Sequence, residues 1–144
     1  STINEIIEDF GPAADGKGIH MEFNSEKEAV DYLTDKQYLT RILENLISNA
    51  LKYSHRDGKV LLSLEASFME IKIKIKDFGV GMTEEDQRNL FSKYGQTSSK
   101  PTENESSTGL GLHIVKRLLD ELGGKITCES DLGTGSTFSV ILKK

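Results

Sequence analysis

Asn45 and Asn49 stand one helical turn apart, with Lys52 close behind, in the stretch Leu39-Thr40-Arg41-Ile42-Leu43-Glu44-Asn45-Leu46-Ile47-Ser48-Asn49-Ala50-Leu51-Lys52-Tyr53. At ~100° per residue, Ile42, Leu43, Leu46, Ile47, Ala50 and Leu51 share one broad apolar face, which reads as core. Asn45, Asn49 and Lys52 fall within roughly 60° of one another, just beyond the edge of that face. Two amide oxygens and an ammonium bordering a packed surface suit a site that holds a hard cation and the phosphates it bridges. The plainer alternative is that all three decorate a solvated helix flank.

A second chemical feature lies at the end of the most regular strand. Met69, Ile71, Ile73 and Ile75 point one way while Glu70, Lys72, Lys74 and Lys76 point the other, so by parity Asp77 falls on the buried face. A buried carboxylate without a partner is costly or becomes neutral, so Asp77 needs a donor. Gly79 and Gly81 follow it in Asp77-Phe78-Gly79-Val80-Gly81-Met82 and, lacking Cβ atoms, would let a ligand lie close against backbone. A purine amino group would supply the donor. The alternative is an Asx turn in which Asp77 caps its own loop.

Gly109-Leu110-Gly111-Leu112 opens a helix behind a polar loop, with the hydroxyls of Ser107 and Thr108 just upstream. Free N–H groups and the positive end of the dipole make such a start an anion site. It also fits a simple loop-to-helix junction. Gly133-x-Gly135 reads as a hairpin turn that also shapes a pocket wall, and Thr137 beyond it reaches either a ligand or Asp77, or is an ordinary strand threonine.

These residues need elements to position them. Ser1 to Phe10 reads as a helix end, with Ile3, Ile6, Ile7 and Phe10 at helical spacing, closed by Gly11-Pro12. Ile19, Met21 and Phe23 alternate with His20, Glu22 and Asn24 as a half-buried strand, and a short strand is possible at Ala29 to Leu33. Thr34 with Gln37 forms a capping box that starts the asparagine helix, expected to run to about Tyr53. Arg56-Asp57-Gly58 turns into a strand through Val60, Leu62, Leu64 and Ala66. After Met82, Thr83 caps a short helix with Glu84, Glu85 and Asp86 in its first turn, closed by Phe91 and Tyr94. Gly95 through Thr108 holds no aliphatic or aromatic residue, the composition of a long loop or lid. Ile114, Val115, Leu118, Leu119 and Leu122 face inward on the next helix, which Gly123-Gly124 ends. Strands at about Lys125 to Ser130 and Thr137 to Leu142 complete the chain.

The length of 144 residues fits one compact unit with a real core. A net charge of −5 and the absence of a basic cluster argue against nucleic acid or an anionic membrane as main partner. Cys128 is the sole cysteine, which excludes an internal disulfide, favours a reducing compartment and reads as a small strand hydrophobe. No apolar run of about 18 residues is present, and with Ser1 rather than methionine first the chain reads as a piece of something longer.

Taken in order, Asn45…Asn49, Asp77-x-Gly79-x-Gly81, Phe91, Gly109-x-Gly111 and Gly133-x-Gly135 resemble the ATP-binding catalytic domain of sensor histidine kinases. That domain belongs to the Bergerat-fold superfamily, which also holds gyrase, Hsp90 and MutL ATPases. The resemblance runs from about Ile19 to Leu142. The N box resembles Asn45 to Tyr53, the first glycine box Asp77 to Gly81, the phenylalanine box Leu90-Phe91-Ser92-Lys93-Tyr94, and the second glycine box Thr108 to Leu112.

The resemblance implies roles for these positions. Asn49 would ligate magnesium with Asn45 assisting, Lys52 would meet phosphate, Tyr53 would border the nucleotide, and Asp77 would accept a hydrogen bond from the adenine amino group. Gly79, Gly81, Met82, Phe91, Tyr94, Lys100 and Thr137 complete the implied nucleotide surface, with Ser107, Thr108, Gly109, Leu110, Gly111 and Leu112 as lid hinge and phosphate-binding amides. Residues 95–108 would be the ATP lid. Gyrase-type ATPases carry a water-activating glutamate where Asn45 stands, and Glu44 is rotated about 100° away. A pocket without that base would preserve ATP for transfer to another acceptor. Two positions depart from the common pattern: Gln96 replaces an arginine that faces the γ-phosphate, leaving Lys93 or Lys100 to compensate, and Ser107 replaces a glycine. None of His20, His55 and His113 is followed by the Glu/Asp-Leu/Ile-Arg-Thr-Pro pattern of a phosphoacceptor helix.

The expectation is an α/β (α+β) two-layer sandwich, a mixed sheet of about five strands on about three helices. Residues 1–18 would be a connector from an upstream dimerisation and phosphoacceptor domain, and 19–144 the ATP-binding domain. Its cofactors would be ATP and Mg2+. Its partners would be that dimerisation domain, in a homodimeric parent, and a response regulator, in the cytoplasm, with no nucleic acid and no direct membrane contact. Three alternatives are an anti-sigma-type serine protein kinase, a non-catalytic nucleotide-binding sensor or scaffold, and an ATP-hydrolysing clamp, the last disfavoured by Asn45.

Overall fold

The computed structural model describes residues 2–25, 36–88 and 111–143. Helices α1 (Thr2–Asp9) and α2 (Gly11–Lys17) precede strand β1 (His20–Ser25), helix α3 (Lys36–Tyr53) and strands β2 (Lys59–Ala66) and β3 (Glu70–Asp77). The short helix α4 (Glu84–Arg88), helix α5 (Gly111–Leu122) and strands β4 (Lys125–Asp131) and β5 (Gly135–Lys143) follow. The strands form one mixed sheet in the order β1-β2-β3-β5-β4. Only β1 and β2 pair in parallel, as the intervening α3 requires of a crossover, and the other pairs are antiparallel.

Alternation decides which face is buried. Val60, Leu62 and Leu64 on β2, Ile71, Ile73 and Ile75 on β3, and Phe138 and Val140 on β5 point to the helices. The lysines of β3 point away. Against this face lie Leu39, Ile42, Leu43, Leu46, Ile47 and Ala50 of α3 and Val115, Leu118 and Leu119 of α5. α3 touches β3, α5 and α1, which places it at the centre of the helical layer. The expected two-layer α+β sandwich with five strands is therefore present, and its main helices are α1, α3 and α5.

Two expectations about boundaries need correction. Gly11-Pro12 does not stop a helical region but opens α2, where proline in the first turn forfeits no helical hydrogen bond. α2 ends on Gly18 in the left-handed conformation, with its N–H on Ala14 and Asp15 carbonyls. Ile6 and Ala14 are buried in the common core, so residues before β1 pack on the sheet-and-helix unit. Met69, expected on the buried face of β3, is 66% exposed beside Phe68 at 93%. Ser67 and Glu70 bond to each other across the turn, the Ser67 N–H donating to the Glu70 carbonyl at 2.8 Å and the Glu70 N–H to the Ser67 hydroxyl at 3.1 Å, which leaves 68 and 69 at the tip. The expected capping box at Thr34, the strand near 29–33, and the lid at 95–108 lie outside the described residues.

Phe138 is the largest fully buried side chain among the described residues, on the strand that joins β3 to β4. Phe138→Ala is expected to lower unfolding free energy by about 3–5 kcal/mol in denaturant titration. Phe68→Ser at the exposed tip is expected to change it by no more than about 0.5 kcal/mol.

Candidate functional site

α3 presents the asparagine stripe as the wheel requires. Ile42, Leu43, Leu46, Ile47 and Ala50 are fully buried, while Asn45, Asn49 and Lys52 are half-buried at the border. Asn45 Nδ2 donates to the Arg41 carbonyl at 2.8 Å, and its Oδ1 accepts no hydrogen bond among the described residues. The Asn49 side chain makes no hydrogen bond among the described residues. No group of three His, Cys, Asp or Glu side chains among the described residues is placed to hold a metal. A cation at this stripe would therefore rest on amide oxygens and the phosphates it bridges, which is the donor set of a hard ion that keeps most of its shell for substrate.

Asp77 ends β3 on the inner face and is 3% exposed. Its Oδ1 accepts two backbone N–H groups, from Gly79 at 3.0 Å and from Ser136 at 3.3 Å. Its Oδ2 has no partner among the described residues. The Asx turn anticipated as an alternative is thus present, yet it uses only one oxygen. Burial pushes the carboxyl up from 3.8 to about 6, while the two N–H groups and nearby His55 pull the other way.

The glycines near Asp77 are required by the protein's own backbone, whatever else lies against them. A Cβ on Gly79 would sit 1.8 Å from the Tyr53 carbonyl oxygen, and one on Gly81 would sit 2.0 Å from that of Asp131. Gly81 also has φ +70°. Between them Val80 donates its N–H to Tyr53 at 3.1 Å and accepts that of Gly133 at 2.8 Å. The loop from Asp77 to Met82 is thereby clamped between the end of α3 and the turn joining β4 to β5.

Thr137 does not join this cluster. It pairs with Lys76 and Glu129 on the solvent side of the sheet, whereas Ser136 pairs with Asp77 and Ser130 on the inner side. Phe138 and Val140 are buried, so the same parity assigns Ser136 inward, and a reading shifted by one residue selects the wrong face. Ser130 was also missed: its Oγ accepts the buried Met82 N–H at 2.8 Å and lies 2.8 Å from Ser136 Oγ. Gln87 of α4 donates to the Ser130 carbonyl at 3.0 Å, tying the helix after the loop to the hairpin. The anticipated Thr83 cap is present, Oγ1 accepting the Asp86 N–H at 3.1 Å.

Of the remaining site candidates, Tyr53 is half-buried at the end of α3 and Leu112 packs on the core at the start of α5. Gly111 is the first residue of α5. Phe91, Tyr94, Lys100, Ser107, Thr108, Gly109 and Leu110 lie outside the described residues.

A carboxyl whose folded value lies above its unfolded one binds its proton more tightly when folded. Stability from Asp77 is therefore full below pH 4 and is lost as pH rises through 6. At ~1.4 kcal/mol per unit the loss is of order 3 kcal/mol. Asp77→Asn keeps the acceptor for both N–H groups and removes the charge. It is expected to be more stable than wild type by about 1–3 kcal/mol at pH 8 and by little at pH 4, read by denaturant titration at both values.

Residues 34–144 match the family described as histidine kinase-, DNA gyrase B-, and HSP90-like ATPase. The chain is 34% identical over 140 residues to the sensor histidine kinase YvrG of Bacillus subtilis (strain 168), covering 96% of this chain and 24% of that protein. It is 31% identical over 143 residues to the signal transduction histidine-protein kinase BarA of Escherichia coli (strain K12), covering 96% and 16% respectively. Among solved structures, full-length ShkA in complex with AMPPNP superposes with a TM-score of 0.85 at 28% identity over 98% of this chain and 29% of that one. The chain thus spans about a quarter or less of these curated relatives. With the family's motif residues gathered around one strand end and one helix, the chain belongs to the histidine kinase-, DNA gyrase B- and HSP90-like ATPase family.

Proposed function

We propose that this domain binds ATP with magnesium and passes the γ-phosphoryl group to a histidine on a dimerisation helix outside residues 1–144, as part of a two-component sensor kinase. The observation that carries the reading is Asp77 Oδ2, a buried acceptor without a donor among the described residues, at the end of the strand whose following loop bonds through Val80 to the helix of the asparagine stripe. An adenine amino group supplies the missing donor, and the site thereby favours adenine over a base that presents a carbonyl there. The structural likeness to a kinase solved with AMPPNP supports ATP as the nucleotide.

Asn49, with Asn45, would hold magnesium; Lys52 would meet phosphate, and Tyr53 and Met82 would border the base. Magnesium, when bound, neutralises charge on the phosphates. Asn45 and Asn49 orient the phosphates, and neither can take a proton from water. Glu44 is exposed on another side of α3 and provides no base either. The domain therefore holds ATP for an external nucleophile, and the kinase names of YvrG and BarA support histidine as that acceptor. Lys100 and the segment from Ser107 to Leu112 complete the phosphate side. Residues 1–18 connect to the dimerisation domain, a response regulator takes the phosphoryl group next, and the setting is cytoplasmic. No described helix is long and apolar enough to cross a membrane.

In calorimetric titration with Mg-ATP, Asn49→Asp and Asp77→Asn are each expected to weaken binding by at least about a hundredfold, of the order lost when a buried polar group is left without its partner. Unchanged binding in both contradicts the site. When a dimerisation domain bearing the acceptor histidine is added with Mg-ATP, an acid-labile phosphoprotein is expected. An acid-stable product would point to a hydroxyl acceptor, and multiple-turnover phosphate release to hydrolysis.

A further inference from the structure

The last four carbonyls of a helix have no partner within it, and in α3 every one of them is taken. Ala50 accepts the Ser54 N–H at 3.1 Å and the Ser54 hydroxyl at 2.7 Å. Leu51 and Lys52 both accept from the ammonium of Lys17, at 2.9 and 3.2 Å. Tyr53 accepts the N–H of Val80, in the loop that follows Asp77. One helix end is thus shared between a lysine of α2 and the loop of the adenine site.

Lys17 is unusual for a lysine in being only 7% exposed. Burying an ammonium is costly unless its donors are satisfied, and the negative end of the α3 dipole is where a cation is favoured. The stem is fixed as well, because Lys17 ends α2 and its own carbonyl accepts the Asp57 N–H at 2.9 Å. Arg56 Nη1 bonds the neighbouring Gly16 carbonyl at 3.2 Å. The ammonium is therefore held from its own side while it holds the final turn of α3.

We propose that Lys17 is a positioning residue for the nucleotide site: it fixes the carbonyls of Leu51 and Lys52 so that Tyr53 keeps Val80, and with it the Asp77 loop, in place. The proposal rests on the ATP reading above. Lys17 acts through the end of α3, by way of Tyr53 and Val80, at the base end of the proposed site.

The test compares wild type with Lys17→Met, which keeps the stem and removes the charge, and Lys17→Arg, which keeps the charge. Binding of ATP and of adenosine is measured by calorimetry at a temperature where each variant is folded, and exchange of the Val80 amide by NMR. Lys17→Met is expected to weaken both ligands by the same factor, about three- to thirtyfold, and to speed Val80 exchange, with Lys17→Arg recovering most of the loss. A folded Lys17→Met that melts earlier but binds both ligands as wild type does shows a purely structural lysine and overturns the proposal. If Lys17→Met does not fold, the wild-type Lys17 Nζ resonance decides: it moves on adenosine binding if the proposal holds and stays fixed if it does not. Failure of wild type itself to bind ATP would instead overturn the reading on which the proposal rests.

Discussion

The structure turns on a carboxylate that is buried with only one of its two oxygens bonded among the described residues. Asp77 must lie inward because the alternation that buries Ile71, Ile73 and Ile75 continues for one more step. At that step the sheet ends, and the two N–H groups available there both reach the same oxygen. The cost of burial is visible in the raised value of the carboxyl. A natural domain retains such a residue when the missing donor arrives with a ligand, and the free protein gives up some stability for it.

What holds that carboxylate in place is mostly backbone. The Asp77 loop is pressed so closely between the end of α3 and the β4–β5 turn that side chains at 79 and 81 would strike carbonyl oxygens. Ser130 and Ser136 then fasten the loop to the hairpin, and Gln87 fastens the next helix to Ser130. A loop fixed this way can present one oxygen in a constant direction. The asparagine stripe lies one to two turns before the helix end that grips the same loop, so the metal side and the base side of the proposed site share one rigid support. Pre-organisation of this kind spares the ordering cost on binding.

Much of this was legible in the sequence because periodicity records burial. The wheel of α3, the alternation of β3 and the inward parity of Asp77 all follow from which residues must avoid water. The hairpin at Gly133-x-Gly135 and the Thr83 cap follow from local turn chemistry. What escaped depended on register or on tertiary contact. Parity counted from Phe138 selects Ser136 as the residue beside Asp77, and puts Thr137 on the opposite face. That Gly79 and Gly81 are needed for the protein's own packing was not legible, because a sequence does not show how closely the Tyr53 and Asp131 carbonyls approach them. Gly11-Pro12 resembled a stop, and only packing of Ala14 and Lys17 against the core reveals it as the start of α2. Lys17 itself gave no signal, since nothing local marks a lysine whose partners lie at the far end of another helix.

The central claim is that Asp77 is a strained acceptor completed by adenine. The most direct check is to follow the Asp77 side-chain carboxyl carbon by NMR across pH, in the free protein and with adenosine bound. The account predicts titration near pH 6 in the free domain and a clear fall once adenosine is present, because a donor to the ionised oxygen favours the charged form. Titration near 3.8, unmoved by adenosine, would contradict it.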